Sequence, residues 1–226
     1  TGVQTCGLSY RSGRPVYEEL KSRLPWTILL ATVSLFLTIL IAFPIGIISA
    51  IYEGKAMDYF TRFLSISFAS VPSFLLGTYI LYFFAVRGEY FNITGNSSAR
   101  DVVLPSLTLA LGMVPQYIRL LRTLILEALE EDYVDVARSR GLKESTILLS
   151  NALKRTLIPI LTHLGISFGH LLGGTVIVEN IFAWPGVGQF LILSIYSRDY
   201  PVIQAYVRWM ALIFVIINAG VDYSCE

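Results

Sequence analysis

Charge is what this chain has least of: Asp, Glu, Lys and Arg make up 15% of its 226 residues, against about 25% in a soluble globular domain. The 17 basic and 16 acidic residues leave a net charge of +1, which excludes the concentrated basic face that nucleic acid requires. Cysteine and histidine occur twice each, with no CxxC or Cys/His cluster at zinc spacing. Neither a Gly-x-x-x-x-Gly-Lys-Ser/Thr phosphate loop nor an HExxH motif is present, so ATP hydrolysis and zinc proteolysis have nothing to rest on here. An intramembrane enzyme would need paired Asp residues or a Ser/His dyad at workable spacing, and the sequence offers neither.

Apolar surface is abundant instead, at 54% hydrophobic residues and a mean hydropathy of +0.64. Apolar runs at 26–51, 62–86, 102–126, 157–182 and 202–221 each approach the ~20 residues a spanning helix needs. The expected fold is an all-α integral membrane protein with about five transmembrane helices. Residues 1–25 form an N-terminal polar segment, 26–226 a transmembrane domain, and about 127–157 a charged loop within it. Trp26 suits an interfacial anchor. Pro44, Pro72, Pro105 and Pro115 interrupt or edge the runs, and the carbonyls they free should face protein or a water-lined path. Gly165, Gly169 and Gly173 recur every four residues and read as a face for close helix packing.

Basic residues set the orientation. The segment from Arg119 to Arg155 carries Arg122, Arg138, Arg140, Lys143 and Lys154 besides its two ends, while the 87–101 loop carries only Arg87 and Arg100. The rich segment is expected in the cytoplasm, together with the 52–61 loop and the C-terminus. Residues 1–25, 87–101 and 183–201 then lie outside, although Arg11, Arg14, Lys21 and Arg23 argue the other way for the first of these. Cys6 and Cys225 fall on opposite sides of a hydrocarbon core about 30 Å thick and cannot pair.

Between the third and fourth runs, Glu127 to Arg140 has strong helix formers, Gly141 stands where a glycine would end the helix, and Lys143 to Leu157 is again amphipathic. Tyr133, Val134 and Ala137 form a small apolar face flanked by Asp132, Asp135, Arg138 and Arg140. Such a face fits a groove in a soluble partner, and it equally fits a helix lying on the lipid surface.

These residues carry a resemblance. Asp135-Val136-Ala137, then three residues and Gly141, followed by Leu157-Ile158-Pro159, resembles the EAA loop of ABC-importer membrane subunits. Asp-Tyr-Val-x-x-Ala-Arg-x-x-Gly-Leu at 132–142 is similar to the loop of the dipeptide, oligopeptide and nickel branch. Ser9 to Val16, Gly173 to Gly188 and Arg198 to Gln204 resemble further segments of that branch, the second most similar to the nickel permease B subunit. The family's pattern also has a membrane helix before the Ser9 segment and an Asp-Pro-Arg tail. Five crossings that start outside are what the pattern leaves without that helix.

The resemblance implies a permease subunit, not an enzyme, in the cytoplasmic membrane of a bacterium or archaeon. It implies as partners a second permease subunit, two cytoplasmic ABC ATPases that hold ATP and magnesium, and an extracytoplasmic solute-binding protein; this chain binds no cofactor itself. The expected ATPase-coupling residues are Tyr133, Val134, Asp135, Ala137, Arg138, Gly141 and Leu142. The expected cargo is nickel, free or chelated, with di- or oligopeptides as the alternative. An ion-coupled carrier or channel would show an internal repeat or a charged relay, and neither is seen. Asn92 and Asn96 match glycosylation acceptors, a coincidence in a prokaryotic protein.

Glu179, Asn180, Trp184, Pro185 and Gly186 are candidates for the pathway or outer gate, with a rigid helix-ending turn as the other reading. His163 and His170 share a helix face and are candidate nickel ligands. Seven residues separate them by about 10 Å along a helix, which favours packing or hydrogen bonding over shared ligation.

Overall fold

The computed structural model describes residues 7–87, 101–142 and 146–225. Cys6, the Asn92 and Asn96 acceptors, Arg100, Lys143 and the side chain of Cys225 lie outside this description. Within it the chain is helical: α1 Val16–Ile51, α2 Ala56–Ala69, α3 Ser73–Leu81 extended by a π-helical turn Tyr82–Val86, α4 Val103–Leu129 and α5 Asp132–Ser139. A second π-helical stretch, Ile147–Ala152, leads into α6 Leu153–Gly174, followed by α7 Val176–Ile181, α8 Val187–Tyr196 and α9 Tyr200–Cys225. Helices α1, α4, α6 and α9 are long and apolar enough to cross a membrane.

Helix α1 starts ten residues before the expected span, directly after Pro15. The charged stretch Glu18 to Arg23 is therefore helical and not a loop, because Glu, Lys, Arg and Leu are good helix formers and two glutamates in the first turn complement the helix dipole. The face α1 buries is small and hydroxylated: Thr27, Ala31, Ser34, Thr38, Ala42, Gly46 and Ser49. Large residues such as Phe36, 62% exposed, point away. This inversion belongs to helices packed in lipid, where small residues let backbones approach. Ser34 and Thr38 donate their hydroxyls to the carbonyls of Leu30 and Ser34, which satisfies them inside the interface. The face packs along α4, and a Cβ on Gly46 would stand 2.9 Å from Leu121 Cβ.

The expected second crossing is broken. Helices α2 and α3 meet at 89°, because Pro72 excludes the helical conformation from the residue before it and α3 restarts with Pro72 as its cap. The fourth expected crossing also divides, at Thr175 between α6 and α7. Residues 183–201, expected as an outer loop, contain the apolar helix α8, which buries Val187, Phe190 and Ser194. Of the glycine stripe, Gly169 faces Phe214 of α9 at 3.4 Å from where its Cβ would be, while Gly173 faces open space.

Candidate functional site

The charged motif is a separate helix hung between α4 and α6. Helix α4 ends at Leu129, Glu131 is extended, and α5 runs from Asp132 to Ser139 with Asp132 and Asp135 in its first turn and Arg138 in its last, the charge order its dipole favours. It stops in a Schellman turn: the Gly141 N–H donates to the Arg138 carbonyl at 2.9 Å and the Leu142 N–H to that of Ala137 at 3.2 Å. Gly141 has φ +77°, a conformation that costs other residues roughly 1–2 kcal/mol.

Its base is pinned. Tyr133 donates its hydroxyl to the Ala128 carbonyl at 2.9 Å, and the Arg155 guanidinium lies 4.3 Å over the Tyr133 ring while pairing with Glu131. Burial pushes the Tyr133 phenol above its ordinary value, against the opposing effect of Arg155, so it stays a neutral donor. Val134 and Ala137 are buried against Ile147 and Leu129 of their own chain. The apolar face expected as the docking knob is thus turned inward. The outward face carries Asp132, Asp135, Arg138 and Arg140, with Val136 50% exposed and Leu142 45% exposed. Spacing at i, i+1 and i+4 marks an apolar face; only Ile147, distant in the motif, decides where that face points.

At the other end of the molecule Glu179 is fully buried and holds four segments together. Its Oε1 accepts the hydroxyls of Thr27 at 2.7 Å and Thr175 at 3.0 Å. Its other oxygen accepts the Gln189 N–H at 3.0 Å, and the Gly188 N–H also bonds the carboxylate. The Val187 N–H donates to Thr27 Oγ1 at 2.9 Å. The first turn of α8, whose amides have no partner within the helix, is thereby satisfied by α1 and α7. Trp184 donates its indole N–H to the Trp26 carbonyl at 3.0 Å and packs edge-on against the Trp26 ring. Gly186 makes this possible, since a Cβ there would lie 2.3 Å from the Glu179 carboxyl. Of the expected gate residues, Glu179, Trp184 and Gly186 are buried, Pro185 is half-buried and Asn180 is exposed. Trp184 is an internal packing residue.

Two segments read separately in the sequence form one joint. Asp199, nearly buried, accepts the Ser9 hydroxyl, the Tyr10 N–H at 3.2 Å and the Arg11 N–H at 3.4 Å. The turn before α1 is thus fastened to the start of α9. A cleft of about 340 Å³ beside it is lined by Ser12, Arg23, Phe190 and Ser197, among others. Both loops had been placed on one side by alternation, and their contact agrees with that grouping.

A cluster at the α5 end of α4 has no counterpart in the sequence reading. Asp58 is 1% exposed and takes a two-point contact from Arg122, Nε to Oδ1 at 2.8 Å and Nη2 to Oδ2 at 3.0 Å. The Ser49 hydroxyl and the Gly54 N–H donate to the same carboxylate at 2.9 and 3.2 Å, and Arg62 approaches at 3.3 Å. Arg122 was counted only as a topology charge. The available signal was a charged residue, Arg122, inside the apolar run 102–126.

His163 and His170 are exposed on α6. The His163 carbonyl accepts the Tyr117 hydroxyl at 3.1 Å, and the His170 ring packs edge-on with Phe214. No group of three or more His, Cys, Asp or Glu side chains placed to hold a metal occurs among the described residues. Only His170 makes its contact through the ring; that of His163 is through the backbone.

The family model described as "Binding-protein-dependent transport system inner membrane component" matches residues 42–224. The glutathione transport system permease protein GsiC of Shigella flexneri serotype 5b (strain 8401) is 37% identical over 216 residues, 96% of this chain and 71% of the relative. The protein of the same name from Escherichia coli (strain K12) matches with the same identity and coverage. Among solved structures, an inward-facing MetNI methionine ABC transporter chain aligns with a TM-score of 0.79 at 18% identity, covering 94% of this chain and 97% of that one. A chain of an amino acid ABC transporter with histidines aligns with a TM-score of 0.75 at 14% identity, covering 92% and 93%.

Proposed function

Since the chain belongs to the family of binding-protein-dependent transport system inner membrane components, as a permease subunit of an ABC importer, we propose that it forms half of a pathway for small peptides of the dipeptide to glutathione class. The observation that carries this reading is the 37% identity, over 96% of the chain, with permeases named for glutathione transport. Nickel, the cargo expected from the Gly173 to Gly188 segment, has less support: the relatives named above are permeases for glutathione, and among the described residues no third His, Cys, Asp or Glu joins His163 and His170 in a metal-holding group.

In this reading α5 meets a cytoplasmic ATPase through its outward face, Asp132, Asp135, Val136, Arg138, Arg140 and Leu142. Tyr133, Val134, Ala137 and Gly141 hold that face in place, so the expected coupling residues divide into those that touch and those that support. ATP and magnesium reside on two ATPase subunits, a second permease subunit completes the pathway, and an extracytoplasmic binding protein delivers the cargo. The α5 end of α4 is cytoplasmic, with the C-terminus on the same side and the Ser9 turn outside. At the outer end Asn180 faces the pathway while Glu179, Trp184 and Gly186 keep the wall rigid.

Uptake in cells expressing the whole assembly tests the cargo. Labelled glutathione and dipeptides should accumulate, and radioactive nickel should not. Accumulation of nickel alone would reverse the assignment of cargo without touching the fold.

A further inference from the structure

We propose that Asp58 and Arg122 are positioning residues that carry displacement of α4 and α5 into α2. This rests on the reading of α5 as the ATPase contact. Arg122 lies seven residues before the end of α4 at Leu129, about 10 Å along the helix axis, so the helix that bears α5 also holds Asp58. The contact is two-pointed, and a guanidinium fork on a carboxylate fixes direction as well as distance. Ser49, on α1, and the Gly54 N–H complete the shell around the carboxylate. The near end of α2 is therefore bolted to α4 and to the end of α1.

The middle of α2 borders a gap. A cleft of about 170 Å³, lined by Ile41, Ile45, Leu64, Ser65, Phe68 and Pro115 among others, separates it from α1 and α4. The Ser65 hydroxyl, buried at this cleft, has no hydrogen-bond partner. Beyond the cleft α2 ends in the 89° bend at Pro72 and does not run on as one rod into α3. A helix fixed at one end, bordered by a gap and hinged at its far end moves as a lever. The cleft is lined almost wholly by apolar side chains, so a shift of α2 across it breaks no polar contact on that flank.

The test uses the complete assembly in proteoliposomes, scoring ATP hydrolysed per peptide transported together with recovery of the ATPase subunits. Arg122→Lys keeps the charge and loses the fork; Asp58→Asn keeps the shape and loses the charge. Both should retain the ATPase subunits, while ATP consumed per peptide rises about five- to tenfold, the scale of coupling between linked sites. A purely structural pair would be rescued by Lys in stability and coupling alike. An unchanged ratio in both variants overturns the proposal, as does loss of assembly in both, which would make the pair a folding element only. A wild-type assembly whose ATP hydrolysis ignores peptide would overturn the underlying reading of α5 as well.

Discussion

Glu179 offers the sharpest test of how the outer end is built. Glu179→Ala removes the acceptor of the Gln189 and Gly188 amides and of the Thr27 and Thr175 hydroxyls. The hydroxyls can turn toward helix carbonyls, but the two amides belong to the first turn of α8 and cannot be redirected. Two buried donors without partners cost about 2–6 kcal/mol at 1–3 kcal/mol each, a large part of the ~5–15 kcal/mol that keeps a domain folded. At about 2–4 °C per kcal/mol for a chain of this length, the apparent Tm should fall by on the order of 10 °C. Glu179→Gln should cost only about 1–2 kcal/mol, because its carbonyl can face the amides while its NH₂ donates to the threonine oxygens. The assay is the apparent melting temperature of the assembled complex at one fixed scan rate, since unfolding of such proteins is generally irreversible. An alanine variant that melts with the wild type refutes the reasoning, for it would mean that water reaches the α8 amides.

Gly141→Pro should abolish peptide-stimulated ATP hydrolysis while leaving membrane insertion intact: it deletes the N–H that donates to Arg138 and fixes φ near −65° where +77° is needed. Normal stimulation in that variant counts against α5 as the contact. Val136→Asp and Leu142→Asp should weaken ATPase co-purification at unchanged Tm, whereas Val134→Asp should lower Tm by placing an unpaired charge against Ile147. Equal effects from the outward and inward substitutions would contradict the described facing of α5.

The helical class, most spans and the position of the α5 motif were legible because each rests on local pattern: long apolar runs, and a charged stretch ended by glycine. The limits of locality explain the misses. Charged residues 18–23 belong to the polar segment 1–25, yet they continue the helix of the first apolar run. Pro72 was seen as a breaker, but its direction of break depends on what α2 and α3 pack against. Ser9 and Asp199 are 190 residues apart, and Asp58 reaches Arg122 across 64; no periodicity reports such pairs. Val134 and Ala137 were recognised as an apolar face, and only tertiary contact with Ile147 showed which way it turned.

The elbow between α2 and α3 bears on how this subunit lives in the cell. Its two limbs, Ala56–Ala69 and Ser73–Val86, are each about 21 Å long, so neither alone traverses a hydrocarbon layer of about 30 Å. Backbone groups released at Ser70 to Pro72 need a polar or protein surface beside them. Ser70, Val71 and Pro72 are all exposed on this chain, so the elbow is stable only where something other than hydrocarbon meets that corner.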